Sequence, residues 1–129
     1  MRAIVQIRIE GAASRPFTVP LLTIDRRCDQ VQNVGLALGD AKTILATLQQ
    51  AFVQEQLDGY LSDRRACPHC AKPRAVKGYH PLRFRTAFGD IDLRSPRWRR
   101  CRCEQSREAT FSPLSALLTV HTTPELTYL

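Results

Sequence analysis

The sequence contains no apolar run close to the roughly 18 residues that a membrane-spanning helix needs. It also lacks a secretory signal pattern, because Arg8 and Glu10 interrupt the first apolar stretch. Internal repeats and low-complexity tracts are missing as well. With 43% hydrophobic residues, the composition is that of a folded globular chain. We therefore expect a cytoplasmic protein whose thiols are reduced.

Acidic residues are scarce between Arg64 and Arg107. This stretch has 13 Lys and Arg residues but only three carboxylates, so its formal charge is +10. Because the whole 129-residue chain is +7, the remainder carries −3. The basic stretch also holds four of the five cysteines. Such a block can simply be a solvated face, but this concentration of charge favours a polyanionic partner.

The first 65 residues predict strands followed by one long helix. Residues 3–9 alternate with a period of two, and residues 17–24 return as an edge strand or an extended arm. Asp40 is expected to cap a helix over residues 40–63. The apolar positions of this helix change face, which a helix with one buried side does not do. We therefore expect the helix to contact two partners: the N-terminal strand, and either another copy of the chain in a homo-oligomer or a missing segment. The first face is Ala41, Ile44, Leu45, Leu48 and Phe52, and the second is Val53, Leu57 and Tyr60.

Two close cysteine pairs flank a predicted β-hairpin that turns at Gly89. A CxxC pair and a CxC pair across a hairpin are typical of a zinc ribbon. In a zinc ribbon, four thiolates hold one structural Zn²⁺ at about 2.3 Å each and leave no open position. The predicted metal ligands are Cys67, Cys70, Cys101 and Cys103.

Other interpretations of the cysteines are less favoured. The string "CPHC" also occurs in thiol oxidases of the thioredoxin class, but there a strand precedes the motif, and here a helix does. Pro73 would also break a helix that began at Cys67. Disulfide pairing conflicts with a reducing compartment. His69 and His80 are weaker candidate ligands, and Ala71 stands where a zinc turn often has glycine.

The basic hairpin predicts contacts with nucleic acid. Arginine dominates it, and its planar guanidinium suits bidentate contacts with phosphate or guanine. Trp98 either packs over the small core or stacks on a base. Without a recognition helix, we expect salt-sensitive binding with modest sequence preference. The predicted DNA-binding residues are Lys77, Arg83, Arg85, Arg94, Arg97, Trp98, Arg99, Arg100 and Arg102.

The order of these motifs resembles the amino-terminal part of ISKra family insertion-sequence transposases. The similarity runs from about Asp40 to Leu129 and is strongest from Cys67 onward, in "CPHCAKPRAVKGYHPLRFRTAFGDIDLRSPRWRRCRC" and "FSPLSALLTVHTTPELTYL". It implies a place in DNA transposition, before a DDE-type catalytic domain of RNase H-like fold. None of that domain's carboxylates maps onto this sequence, so we expect no enzyme activity. The four cysteines match the zinc-ligand positions that the family pattern suggests.

Together these patterns predict an α+β chain in four parts: residues 1–39, the helix over 40–65, the zinc ribbon over 66–107, and a linker over 108–129. We expect a non-catalytic DNA-binding region, truncated before the catalytic domain. A helix that begins at Thr123 and exposes Leu126 and Leu129 is part of that expectation. The alternatives are a dimerisation module with a structural zinc and an RNA-binding zinc ribbon.

Overall fold

The computed structural model describes residues 1–11, 15–104 and 106–127. It is a mixed α/β structure with two sheets and one long helix. The chain divides into two compact units, Met1–Val53 and Gln54–Leu129. Within the described residues, no helix is both long and apolar enough to cross a membrane.

The first unit contains an antiparallel pair of strands, β1 (Arg2–Ile9) and β2 (Phe17–Asp25). Half-buried and exposed residues alternate along β1, as the period of two predicts. The register shifts between Val5 and Gln6, which pair with Leu22 and Pro20. The extra residue at this bulge, Leu21, is 7% exposed. The bulge therefore directs an additional apolar side chain into the core.

Helix α1 (Leu38–Arg64) begins two residues before the predicted start. Asp40 is therefore the third residue of the helix, and its assignment as the N-cap is wrong. Its Oδ2 accepts hydrogen bonds from the Ala37 N–H and from Arg26 Nη2, both at 2.8 Å. The carboxylate reaches back to the residue before the helix, as in one half of a capping box. The Ala37 N–H, followed by Arg26, lowers the pKa of Asp40.

The two apolar faces of α1 differ in burial. Val53 and Leu57 are 8% and 6% exposed, whereas Leu45 and Phe52 are 42% and 54% exposed. The predicted change of face is therefore visible along the helix. The other members of the first face are half-buried, so its exposed apolar part consists of Leu45 and Phe52.

The second unit is built on the predicted hairpin, β3 (Val76–Thr86) and β4 (Gly89–Arg99). The Thr86 hydroxyl closes the turn, because it donates to the Gly89 C=O at 2.6 Å and accepts from the Phe88 N–H at 3.2 Å. Gly89 has a φ of +125°, a conformation that needs glycine. Strand β5 (Thr110–Phe111) adds to the other edge of β4.

The burial pattern of β4 changes phase halfway along the strand. Ile91 and Leu93 are buried with exposed neighbours, but Ser95 and Pro96 are buried in succession, and Trp98 follows two residues later. Successive side chains of a strand point to opposite faces of the sheet. The buried face of β4 therefore switches at Ser95–Pro96, and the exposed face switches with it.

The outer edge of β3 is only partly covered. The Arg85 N–H donates to the His121 C=O, and the Arg85 C=O accepts from the Thr123 N–H, both at 2.9 Å. Pro81 lies four residues before Arg85, so its backbone nitrogen also points away from β4. The missing N–H of Pro81 therefore costs no hydrogen bond to β4. Helix α2 (Pro124–Thr127) follows this contact. Leu126 is half-buried rather than exposed, and Leu129 lies outside the described residues.

Candidate metal centre and basic surface

Four cysteine sulfurs converge within the second unit. The Sγ atoms of Cys67, Cys70, Cys101 and Cys103 all lie within 4.8 Å of one another. Two contacts join the separate cysteine pairs, Cys67–Cys103 at 3.2 Å and Cys70–Cys101 at 3.3 Å. Four sulfurs around one tetrahedral zinc ion at 2.3 Å would lie about 3.8 Å apart. The spacing therefore fits a single metal ion held by the four predicted ligands.

The first cysteine pair lies on a tight turn. The Cys67 N–H donates to the Lys72 C=O at 2.8 Å, and the Ala71 N–H donates to the Cys67 C=O at 2.9 Å. Ala71 has a φ of +62°, so it adopts the left-handed conformation that glycine usually supplies. The turn leaves Cys67 2% exposed and Cys70 exposed.

The second cysteine pair lies on a turn closed by Glu104. The Glu104 N–H donates to the Cys101 C=O, and Glu104 Oε1 accepts from the Cys101 N–H, both at 3.0 Å. The same oxygen accepts from Arg74 Nε at 2.8 Å. Arg74, followed by the Cys101 N–H, lowers the pKa of Glu104 to about 2. The sequence does not predict the contact between Arg74 and Glu104, because 30 residues separate them and neither belongs to a motif.

The cysteine thiols affect each other's ionisation. Burial raises the pKa of Cys67. Hydrogen bonds from the N–H groups of Cys70 and His69 and from the neighbouring thiols together outweigh this effect and lower the pKa to about 6. The Cys103 N–H lowers the pKa of Cys101. The Cys103 thiol shares its proton with the sulfurs of Cys67 and Cys101, and these hydrogen bonds raise the pKa of Cys103. A divalent cation would take the place of the shared protons and allow all four thiols to ionise.

The remaining sulfur and imidazole groups lie outside this cluster. Among the described residues, the only group of three or more cysteine, histidine or carboxylate side chains close enough to share a metal is the four cysteines. His69 and His80 are exposed and are not members of it. Cys28 is an exposed free thiol in the first unit. Helix α1 precedes the CPHC string, and no strand leads directly into it.

The predicted basic residues do not share one face. Arg83 pairs across the hairpin with Asp92 at 3.3 Å, and Arg85 with Asp90 at 3.9 Å. Arg94 belongs to the same face as Asp90 and Asp92 by strand parity. Its guanidinium lies over the Tyr79 ring at 4.5 Å from the centroid. Carboxylates therefore offset part of the positive charge on this face.

Arg97 and Arg99 project from the opposite face of β4 because the buried face switches before them. Both are exposed, and within the described part of the chain neither forms an ion pair. Arg97 Nε donates to Thr110 Oγ1 at 3.0 Å. Lys77 and Arg102 are also exposed.

Two predicted DNA-binding residues have partners within the protein: Trp98 is buried, and Arg100 is half-buried beside Glu104. Trp98 is 2% exposed and meets Phe111 edge-on, with centroids 6.0 Å apart. Neither side of its ring is free to stack on a base. The stacking role is therefore wrong for this structure, and Trp98 packs in the core instead. The Arg100 side chain is 28% exposed, contacts Glu104 at 3.4 Å, and lies 4.5 Å from the Phe111 centroid.

No family model, curated protein or solved structure matches this chain. The features of the chain that bear on its function are therefore the order of its motifs, the geometry of the cysteine cluster and the basic hairpin.

Proposed function

We propose that this chain is the non-catalytic, DNA-binding zinc-ribbon region of an insertion-sequence transposase similar to the ISKra family. The order of CxxC, hairpin and CxC supports the family, and the four convergent sulfurs support the metal. One observation carries the DNA-binding role. Arg97 and Arg99 are exposed, while the three carboxylates of the basic stretch, Asp90, Asp92 and Glu104, already have arginine partners.

Zinc would have a structural role in this region. A ribbon of about 40 residues buries too little apolar surface to fold without additional stabilisation. A structural zinc supplies on the order of 10–16 kcal/mol of binding free energy, which also contributes to folding. The four cysteine ligands leave no open coordination position for substrate or water. The metal would hold the two cysteine turns together and thereby support the hairpin that presents the arginines.

The arginines suit a phosphate backbone better than a base-specific site. Arg97 and Arg99 lie two residues apart on one strand, about 7 Å along it, a separation comparable to that of neighbouring phosphates. No described helix projects from the hairpin to enter a groove. We therefore expect binding that depends strongly on salt and weakly on sequence.

The test compares two matched double variants in fluorescence anisotropy with duplex DNA. Arg97→Ala with Arg99→Ala removes the unpaired cations, whereas Arg83→Ala with Arg85→Ala removes cations that face carboxylates. Both pairs change the net charge by the same amount. The first variant should bind at least tenfold more weakly than the second at 0.15 M salt. If each lost arginine contacted one phosphate, the slope of log K against log salt concentration should be smaller by about 2 in the variant that lacks Arg97 and Arg99. Equal affinities would contradict this interface.

An RNA-binding role requires a separate comparison. The same anisotropy titration with duplex RNA and single-stranded RNA as competitors distinguishes it, because the A-form helix and the 2′-hydroxyl change the groove and its contacts. DNA should be preferred under the proposed function. Displacement of bound DNA by lower concentrations of RNA would favour the RNA-binding ribbon instead.

A second candidate function is self-association through helix α1. It is favoured by the exposure of Leu45 (42%) and Phe52 (54%) on one helix face, seven residues apart. Light scattering after size exclusion would give the molar mass in solution. A dimer that Phe52→Glu dissociates, but the exposed control Gln50→Glu does not, would support this module. A monomer at all concentrations would exclude it.

A further inference from the structure

A buried ion pair links the two cysteine turns. Arg74 follows the first cysteine pair by four residues, and Glu104 directly follows the second. Arg74 Nε and Glu104 Oε1 are 2.8 Å apart, and the two side chains are only 11% and 10% exposed. Charges this buried are stable only when their remaining donors and acceptors are also satisfied.

Those further bonds lead from a candidate metal ligand to helix α1. Glu104 Oε1 accepts from the Cys101 N–H at 3.0 Å, which fixes the backbone of that ligand. Arg74 Nη1 donates to the C=O of Arg64, the last residue of α1, at 2.8 Å. The Arg74 guanidinium also lies 5.1 Å from the centroid of Phe111 on β5. The Arg74 side chain thus contacts the end of α1, the second cysteine turn and strand β5.

We propose that Arg74 and Glu104 are positioning residues of the metal centre and couple metal binding to the order of the last turn of α1. The inference rests on the proposed zinc site. Glu104 holds the Cys101 backbone, and Arg74 holds Glu104 against the helix end. Groups that support metal ligands in this way typically change metal affinity by 10- to 100-fold when they are replaced.

The first test measures Zn²⁺ affinity by competition with a chromophoric chelator. Glu104→Gln and Arg74→Met should each weaken zinc binding by 10- to 100-fold. The double variant should lose less than the product of the two single losses, because each single change leaves one buried charge unpaired. The milder Arg74→Lys keeps the charge but not the forked geometry, so its loss should be smaller than that of Arg74→Met.

Two controls separate positioning from general electrostatics. Arg8 and Glu10 form an ion pair of the same 2.8 Å length, but their side chains are 67% and 66% exposed. Arg8→Met with Glu10→Gln should leave the zinc affinity unchanged. Arg107→Met removes an exposed positive charge three residues after Glu104 and should also leave it unchanged. If Arg107→Met weakened zinc binding as much as Arg74→Met, the loss of zinc affinity would come from the removed positive charge alone, and the positioning role of Arg74 would be wrong.

A second readout follows the helix end. With zinc saturating and the fold verified by circular dichroism, amide exchange over residues 60–64 should be faster in Arg74→Met and Arg74→Lys than in the wild type. Wild-type zinc affinity and wild-type exchange in these variants would overturn the inference while leaving the zinc site intact. Failure of the wild type to bind zinc would overturn the zinc site and this inference together.

Discussion

Ala71 shows how one residue can limit the stability of the first cysteine turn. Its φ of +62° is the left-handed conformation, which costs a residue with a Cβ about 1–2 kcal/mol. The turn nevertheless forms, because the Ala71 N–H bonds to the Cys67 C=O and the cysteine sulfurs converge. The strain is therefore compensated by the rest of the site.

Replacing Ala71 with glycine should stabilise the protein. Relief of the backbone strain exceeds the extra entropy of glycine in the unfolded chain, for a net gain of about 0.5–1 kcal/mol. Ala75→Gly is the matched control, since Ala75 is exposed in the same segment without a positive φ, and it should destabilise by a similar amount. Denaturant unfolding at saturating zinc measures both. A destabilised Ala71→Gly variant would contradict the strain argument.

The metal ligands can be tested residue by residue. Purified protein should contain about one zinc per chain by elemental analysis. Cys101→Ser should lose most of the metal and unfold the hairpin, because the hydroxyl of serine is a poor zinc ligand. Cys28→Ser should retain the full metal content, since Cys28 is exposed and outside the cluster. Full metal content in Cys101→Ser would refute the assignment.

At the scale of the element, the start of α1 depends on one carboxylate. Asp40 bonds the Ala37 N–H and Arg26, and these bonds lower its pKa in the folded state. A carboxyl group with a lowered folded pKa stabilises the fold fully above its unfolded pKa, near 3.9. That stabilisation is lost as the pH falls from there through the folded pKa.

The Ala37 amide reports this interaction directly. Its chemical shift should titrate with a midpoint below about 3.9, the ordinary value for Asp. Asp40→Ala should remove the titration and speed amide exchange of Ala37 and the first turn at neutral pH. Asp40→Asn retains an acceptor and should give an intermediate exchange rate. A midpoint at or above the ordinary Asp value would contradict the bonding shown by the structure.

At the scale of the whole molecule, the four candidate ligands all belong to the unit Gln54–Leu129. If the proposed zinc site is correct, chelation of the metal should therefore remove amide protection mainly from β3 and β4, where zinc would supply the missing folding free energy. Protection in β1 and β2 should change less, because their hydrogen bonds are within Met1–Val53. Hydrogen exchange before and after chelation would measure both. Equal loss in both units would show a single cooperative fold.

Local patterns in the sequence determined the repeating elements and the candidate metal ligands. The period of two predicted β1 and the hairpin, glycine marked the turn at Gly89, and proline-free helical spacing predicted α1. The cysteine spacing selected the four residues whose sulfurs converge. These features could be predicted because each depends on backbone geometry over a few residues, or on chelation by neighbouring side chains.

Only the tertiary structure decided which arginines are available. The switch of buried face at Ser95–Pro96 separates Arg97 from Arg94. Burial of Trp98 likewise depends on Phe111. The Arg74–Glu104 pair forms across 30 residues once both cysteine turns are in place. Such contacts depend on how distant segments pack, and a single sequence pattern carries no record of that packing.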